Sequence, residues 1–177
     1  MKTINYYEIF KTEYGWAGVL TSNSGLKRSI FAKSSYSEVS SYLGISDLSA
    51  RQNSSKTNIF ADAIHDILLG IPLTKSILLD FTDFSPFFIS AWKACITIPF
   101  AQTRSYAWLA TQSGNPKALR AAGQAMARNP FAPIVPCHRV ISKDGRLHNY
   151  SAGGIEIKSN LISFNITYFF HVMKEGS

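Results

Sequence analysis

Pro136-Cys137-His138-Arg139-Val140 places one of the chain's two cysteines beside a histidine, behind the proline-fenced apolar stretch 129–136. A thiol attacks carbon only as its thiolate, and an imidazole is the side chain best suited to take that proton near neutral pH. The pair therefore reads as an activated nucleophile. Free cysteines are also among the most buried residues, and sequence neighbours usually point their side chains apart, so an inert buried thiol is the competing reading of the dipeptide. The other cysteine, Cys95, falls on the apolar face of a predicted helix and reads as core.

The elements expected to position Cys137 begin at Ser85, a helix cap followed by Pro86 in the first turn. Phe88, Trp92, Cys95 and Ile96 recur at helical spacing and define a buried face, and Pro99 ends the helix. Two more helices are predicted over Ser105–Gln112 and Pro116–Arg128, joined by a turn at Ser113–Asn115, which is helix-turn-helix spacing. The second carries Lys117, Arg120 and Arg128 among alanines. Such a helix fits a groove of duplex DNA, or equally a tightly packed core.

Upstream, Asn5–Phe10, Gly15–Leu20 and Leu26–Phe31 read as an antiparallel meander, with Asn23–Gly25 as a turn. A helix capped by Ser35 and Glu38 should stop at Gly44, and Ser46–Lys56 reads as a polar loop. A further helix is expected from Thr57 to Gly70, then a strand over Ser76–Asp80. The domain boundary is placed after 82, giving units 1–82 and 83–177. His65 receives no function.

The chain of 177 residues is 46% apolar and 13% aromatic, enough to bury a core, and its formal net charge of +7 suits a polyanionic partner. Two cysteines build no disulfide framework and the opening residues show no signal peptide, so a cytoplasmic, reducing setting is expected, or the nucleus in a eukaryote. The longest apolar run, 161–170, is short of the ~20 residues that span a bilayer, so no membrane role is expected. No metal site is expected in the amino-terminal part, where His65 stands without any cysteine.

Ser105-Tyr106, the run Arg120–Met126, Asn129-Pro130, Pro136–Val140 and Asn149–Ser151, in this order across Ser85–Leu161, resemble the signature of the O6-alkylguanine-DNA alkyltransferase family. The resemblance implies an α/β (α+β) fold. A small strand-rich N-terminal domain with helices, ribonuclease-H-like in that family, precedes a mostly helical, winged-helix-like domain that binds DNA. It also implies direct repair without a cofactor, by a monomer acting on double-stranded DNA that contains alkylated guanine, with alkylated thymine as a second candidate substrate.

By the same resemblance, Cys137 accepts the alkyl group once and irreversibly, and His138 deprotonates it through a water. Tyr106 donates a proton to the guanine and helps turn the nucleotide out of the duplex. Arg120 enters the stack in place of the flipped base, in the minor groove, where sequence readout is degenerate. Asn129 ties the recognition helix to the active-site loop. Tyr150 and Ser151 line the alkylguanine pocket, with Val140 and Met126 as apolar walls.

Two positions depart from the family pattern. Asn165 stands where a glutamate orients the histidine, and an amide lacks the charge that stabilises an imidazolium. His148 replaces a glycine beside the pocket and should narrow its entrance, and the run Ser151–Gly154 is one residue longer than usual. The expectation is a slower transfer that favours small alkyl groups. The competing classes are a lesion-binding module that flips the base and recruits other proteins, and a sequence-specific regulator built on the same helix pair.

Overall fold

The computed structural model describes residues 4–175, without the side chains of 165, 166 and 168–175. The chain forms two compact units. One runs to Ile67 and takes in Leu73–Thr82 and Pro130–Ile134; the other holds Leu68–Pro72, Asp83–Asn129 and the chain from Val135 onward. The expected single break after 82 is therefore crossed by two short exchanges of chain.

In the first unit, β1 (Tyr6–Thr12), β2 (Gly15–Ser22) and β3 (Gly25–Lys33) form the expected antiparallel meander. The helix α1 (Tyr36–Leu43) lays Val39 and Leu43 against Leu20 and Ile30. Gly18 makes this approach possible, because a Cβ there would lie 2.5 Å from Val39 and 3.0 Å from Leu43. Ser35 Oγ accepts from the Glu38 amide at 3.2 Å, and Gly44 ends the helix at φ 66°. The returning bond of the capping box goes one residue further back than its usual partner, from the Ser34 amide to Glu38 Oε2.

The predicted polar loop 46–56 instead contains β4 (Arg51–Gln52), parallel to β1, and the first turn of α2 (Ser54–Leu68). Both β4 residues are exposed, so their pairing leaves no apolar trace in the sequence. The predicted strand 76–80 reduces to a single bridge, Leu26 to Leu79, held by bonds from the Leu26 amide to Leu78 O and from the Asp80 amide to Leu26 O, both 2.8 Å. Leu78 is 72% exposed, so the apolar run that suggested a strand faces solvent in part. Residues 130–134 complete this unit, where Pro130 O accepts from the Ser29 amide at 2.7 Å and Ala132 O from the Ser29 hydroxyl at 2.9 Å.

In the second unit, α3 (Pro86–Ile96) opens with Ser85 Oγ accepting from the Phe88 amide and buries Ala91, Trp92 and Cys95. Trp92 Nε1 donates to Ala125 O at 2.8 Å, which fixes α3 against α5 (Leu119–Ala127). Ile96 is 46% exposed rather than buried: the helix ends there, and the turn that follows carries Ile98 into the core instead. Between them lie β5 (Arg104–Ser105) and α4 (Tyr106–Gln112).

Helix α5 begins at Leu119, not at Pro116. Asn115 captures the Lys117 amide with its side chain and the Ala118 amide with its carbonyl, closing a turn across 115–118. A 3-10 turn, Cys137–Arg139, leads into β6 (Val140–Ile141), which pairs parallel with β5, and α6 (Gly154–Glu175) ends the described chain. Among the described residues no helix is long and apolar enough to cross a membrane, and no group of three acidic, histidine or cysteine side chains could hold a metal.

Candidate active site

The site is assembled on the short elements of the second unit. The pairing of Ser105 with Ile141 in the β5–β6 ladder sets the start of α4, and therefore Tyr106, beside the turn that carries Cys137. That turn is pinned from several sides. The Cys137 amide donates to Val135 O at 2.7 Å and the Arg139 amide to Pro136 O at 2.9 Å. The Arg139 guanidinium donates to Ile98 O at 3.1 Å and lies over the Phe100 ring.

Asn129, at the end of α5, uses one amide nitrogen twice, donating to Val135 O and to Cys137 Sγ, both at 3.0 Å. Lys158 of α6 is 1% exposed, and its Nζ donates to Val140 O at 2.8 Å. A buried ammonium requires anionic or carbonyl partners, and Lys158 has a carbonyl in Val140 and an ionisable thiol across the same cleft.

Around Cys137 opens a cleft of about 600 Å³ walled by Tyr106, Met126, Tyr150 and Lys158, with Arg120 and His148 among its remaining lining. One face of α5, through Leu119, Arg120, Gly123 and Ala127, also borders it, while Ala122 and Ala125 face the core. Burial pushes Cys137, Tyr106, Tyr150, His138 and Lys158 toward their uncharged forms. The Cys137 thiol is raised by burial, against the opposing pull of the Asn129 hydrogen bond, the Lys158 charge and the Tyr150 hydroxyl. Tyr106 is raised by burial and by the charge of Cys137.

Burial, reinforced by the charges of Arg139 and Lys158, lowers His138 to about 3, so its imidazole is neutral at physiological pH. Lys158 is lowered by burial, with Cys137 pulling it back up. The set thus holds a protonated phenol that can donate, a neutral imidazole that can accept and a thiol between hydrogen-bond and cationic partners, as acid–base-assisted nucleophilic chemistry requires.

The structure brings Cys137, Tyr106, Tyr150, Ser151, Met126, Arg120 and His148 to one cleft and places Asn129 behind the sulfur. His138 lies beneath, fully buried, edge-on to Tyr150 at 6.4 Å, with no hydrogen-bond partner for either ring nitrogen among the described residues. Asn165 falls on α6, but its side chain lies outside the described ones. Val140 does not wall the cleft: its side chain is core and its carbonyl holds Lys158. Sequence reasoning passed over Lys158 as a site residue, although its i, i+3 spacing from buried Leu161 marks the inner face of α6.

A family model described as 6-O-methylguanine DNA methyltransferase, DNA binding domain, matches residues 86–165. Methylated-DNA–protein-cysteine methyltransferases of Methanosarcina barkeri and Bacillus subtilis are 49% and 46% identical over 81 and 79 residues, covering 46% and 45% of this chain. The matched stretch spans about half the length of these curated relatives, 49% and 48%. The crystal structure of Mycobacterium tuberculosis O6-methylguanine methyltransferase is 30% identical and matches 93% of this chain and 94% of its own, at a TM-score of 0.75.

The chain belongs to the O6-methylguanine DNA methyltransferase family. Its mixed α/β architecture, an N-terminal sheet followed by a helical unit, is the one expected from the sequence. The crystal structure of Mycobacterium tuberculosis OGT in complex with DNA matches at a TM-score of 0.74, with 29% identity over 92% of this chain and 93% of that one.

Proposed function

We propose that this protein repairs alkylated guanine in duplex DNA by taking the alkyl group onto Cys137, once per molecule and as a monomer. The observation that carries this reading is the position of Cys137 Sγ, bonded to Asn129 in a cleft that also holds Tyr106 and is bordered by the cationic helix α5. In the step, the Cys137 sulfur forms a bond to the alkyl carbon as the carbon–O6 bond breaks. The electron pair passes to the guanine, which takes a proton from Tyr106, and the thiol proton leaves toward His138 through water. The product is a thioether, which no group in the cleft reverses, and no cofactor enters.

Reaching a stacked base requires turning it out of the duplex, at a cost of a few kcal/mol. Arg120, exposed on α5, supports this step with a planar cation that stacks in the gap. His148 at the rim is hydrogen-bonded to Ser142 Oγ and stands 6.3 Å from the Tyr106 ring, which narrows the mouth and favours methyl over bulky groups.

The test is incubation with duplexes carrying O6-methylguanine or O6-benzylguanine, followed by peptide mass spectrometry. A gain of one alkyl group on the Cys137 peptide, larger for methyl and absent in Cys137→Ala, is expected. Saturable binding to the lesion without an adduct would replace this reading with the lesion-binding module, and strong preference among undamaged duplexes with the regulator.

A further inference from the structure

Leu119 is the first residue of α5 and is 51% exposed, a large apolar side chain at the border of the cleft, whereas Met126, the other large aliphatic in its lining, is buried. Arg120 beside it on α5 and Lys117 in the preceding turn are exposed cations, and Ala118 and Ala121 are its small neighbours along the chain. One turn further along the same face stands Gly123, where an added Cβ would meet nothing within 4 Å. The face therefore presents an apolar knob followed by an open step that leads to Cys137. Leu119 makes no use of its bulk in the core, which α5 fills with Ala122, Ala125 and Met126.

Cations around a projecting aliphatic side chain match the chemistry of a nucleic-acid groove, with phosphates outside and stacked apolar base faces within. We propose that Leu119 is a wedge for duplex DNA, entering the base stack beside Arg120 so that the displaced nucleotide travels over Gly123 into the cleft and is kept from returning. This rests on the DNA-repair reading above. Leu119 contributes to opening the stack and not to alkyl transfer itself, so its contribution depends on how firmly the target base is paired.

The experiment compares wild type, Leu119→Ala and Leu119→Met on three probes: a duplex with O6-methylguanine opposite cytosine, the same duplex with the lesion opposite an abasic site, and free O6-benzylguanine. Leu119→Ala is expected to slow transfer from the paired duplex roughly tenfold, less from the abasic duplex, and not at all from the free base, whereas Leu119→Met keeps the wild-type rate. Equal slowing on all probes, or none on the paired duplex, overturns the wedge.

A separate reading uses 2-aminopurine at the target position, whose fluorescence rises on unstacking without any chemistry. Should wild type transfer no alkyl group, the repair reading falls. The wedge is then judged by fluorescence alone: it stands if Leu119→Ala diminishes the rise and falls if the rise is unchanged or never occurs.

Discussion

The two units treat buried polar groups in opposite ways. In the first, the buried Asp80 and Thr57 are answered: Asp80 accepts from Ser22 Oγ at 2.5 Å and from the Thr82 amide at 2.9 Å, and Glu8 accepts from Thr57 Oγ1 at 2.6 Å. Burial alone would raise the Asp80 carboxyl, but the bonds from Ser22 and Thr82 outweigh it and hold the group below its usual value. In the second unit burial wins. Cys137 is raised and His138 and Lys158 are lowered, and the bonds that reach them are too few to cancel these shifts. Satisfied polar groups stabilise a fold, whereas desolvated ones are held ready to exchange protons, so the contrast separates a scaffold from a reaction site.

Lys158→Met gives the sharpest test of this contrast. Loss of the buried cation raises the Cys137 thiol further, and alkylation by iodoacetamide at neutral pH should fall roughly tenfold for each unit of that rise. Stability should change by only ~1 kcal/mol, because removing a buried ammonium offsets the unpaired Val140 carbonyl. Large unfolding with unchanged thiol reactivity would break the contrast.

Acid should expose His138 next. Its folded value of about 3 lies below that of an unfolded histidine, so the unfolded chain binds a proton that the folded one refuses. Stability is therefore complete above pH ~6.5 and is lost as pH falls from there toward 3, by a few kcal/mol. His138→Gln should flatten that slope in denaturant titrations. Asn129→Ala follows at ~1–3 kcal/mol, since it removes two buried hydrogen bonds, to Val135 O and to Cys137 Sγ, and it should also slow iodoacetamide at Cys137 by removing the bond to the sulfur.

The smallest effect belongs to the scaffold. Because the folded value of Asp80 is depressed, its contribution is present above pH ~3.9 and disappears as pH falls through the folded value. Asp80→Asn should cost ~1 kcal/mol at pH 7 and nearly nothing in strong acid, with thiol reactivity untouched. Thermal melts at the two pH values check it.

What the sequence made legible follows the strength of local signals. The meander, the Ser35 and Ser85 caps and the Gly44 stop are written in alternation and capping chemistry that act within a few residues. The Cys137, Tyr106, Arg120 and Tyr150 cluster was legible through its motif, not through physics visible along the chain. Three features were not legible. The two exposed residues of β4 carry no pattern, and Pro116 suggested a helix start that the side chain of Asn115 displaced to Leu119. Lys158 reads as a surface residue by type, and only its partners, Val140 O and the thiol region, reveal why it is buried.

The exchange of residues 130–134 between the units bears on how this chain can be divided. Asn129 and Val135, joined by a side-chain bond, act as a clasp at the neck of an excursion that supplies Ser29 with both of its acceptors. A gene cut after codon 82 would leave the upstream fragment with a buried hydroxyl and amide stripped of partners, and would leave the downstream fragment with an unsupported apolar loop. For shuffling, permutation or split-reporter engineering, the boundary that looks natural in the linear sequence is the wrong place to cut.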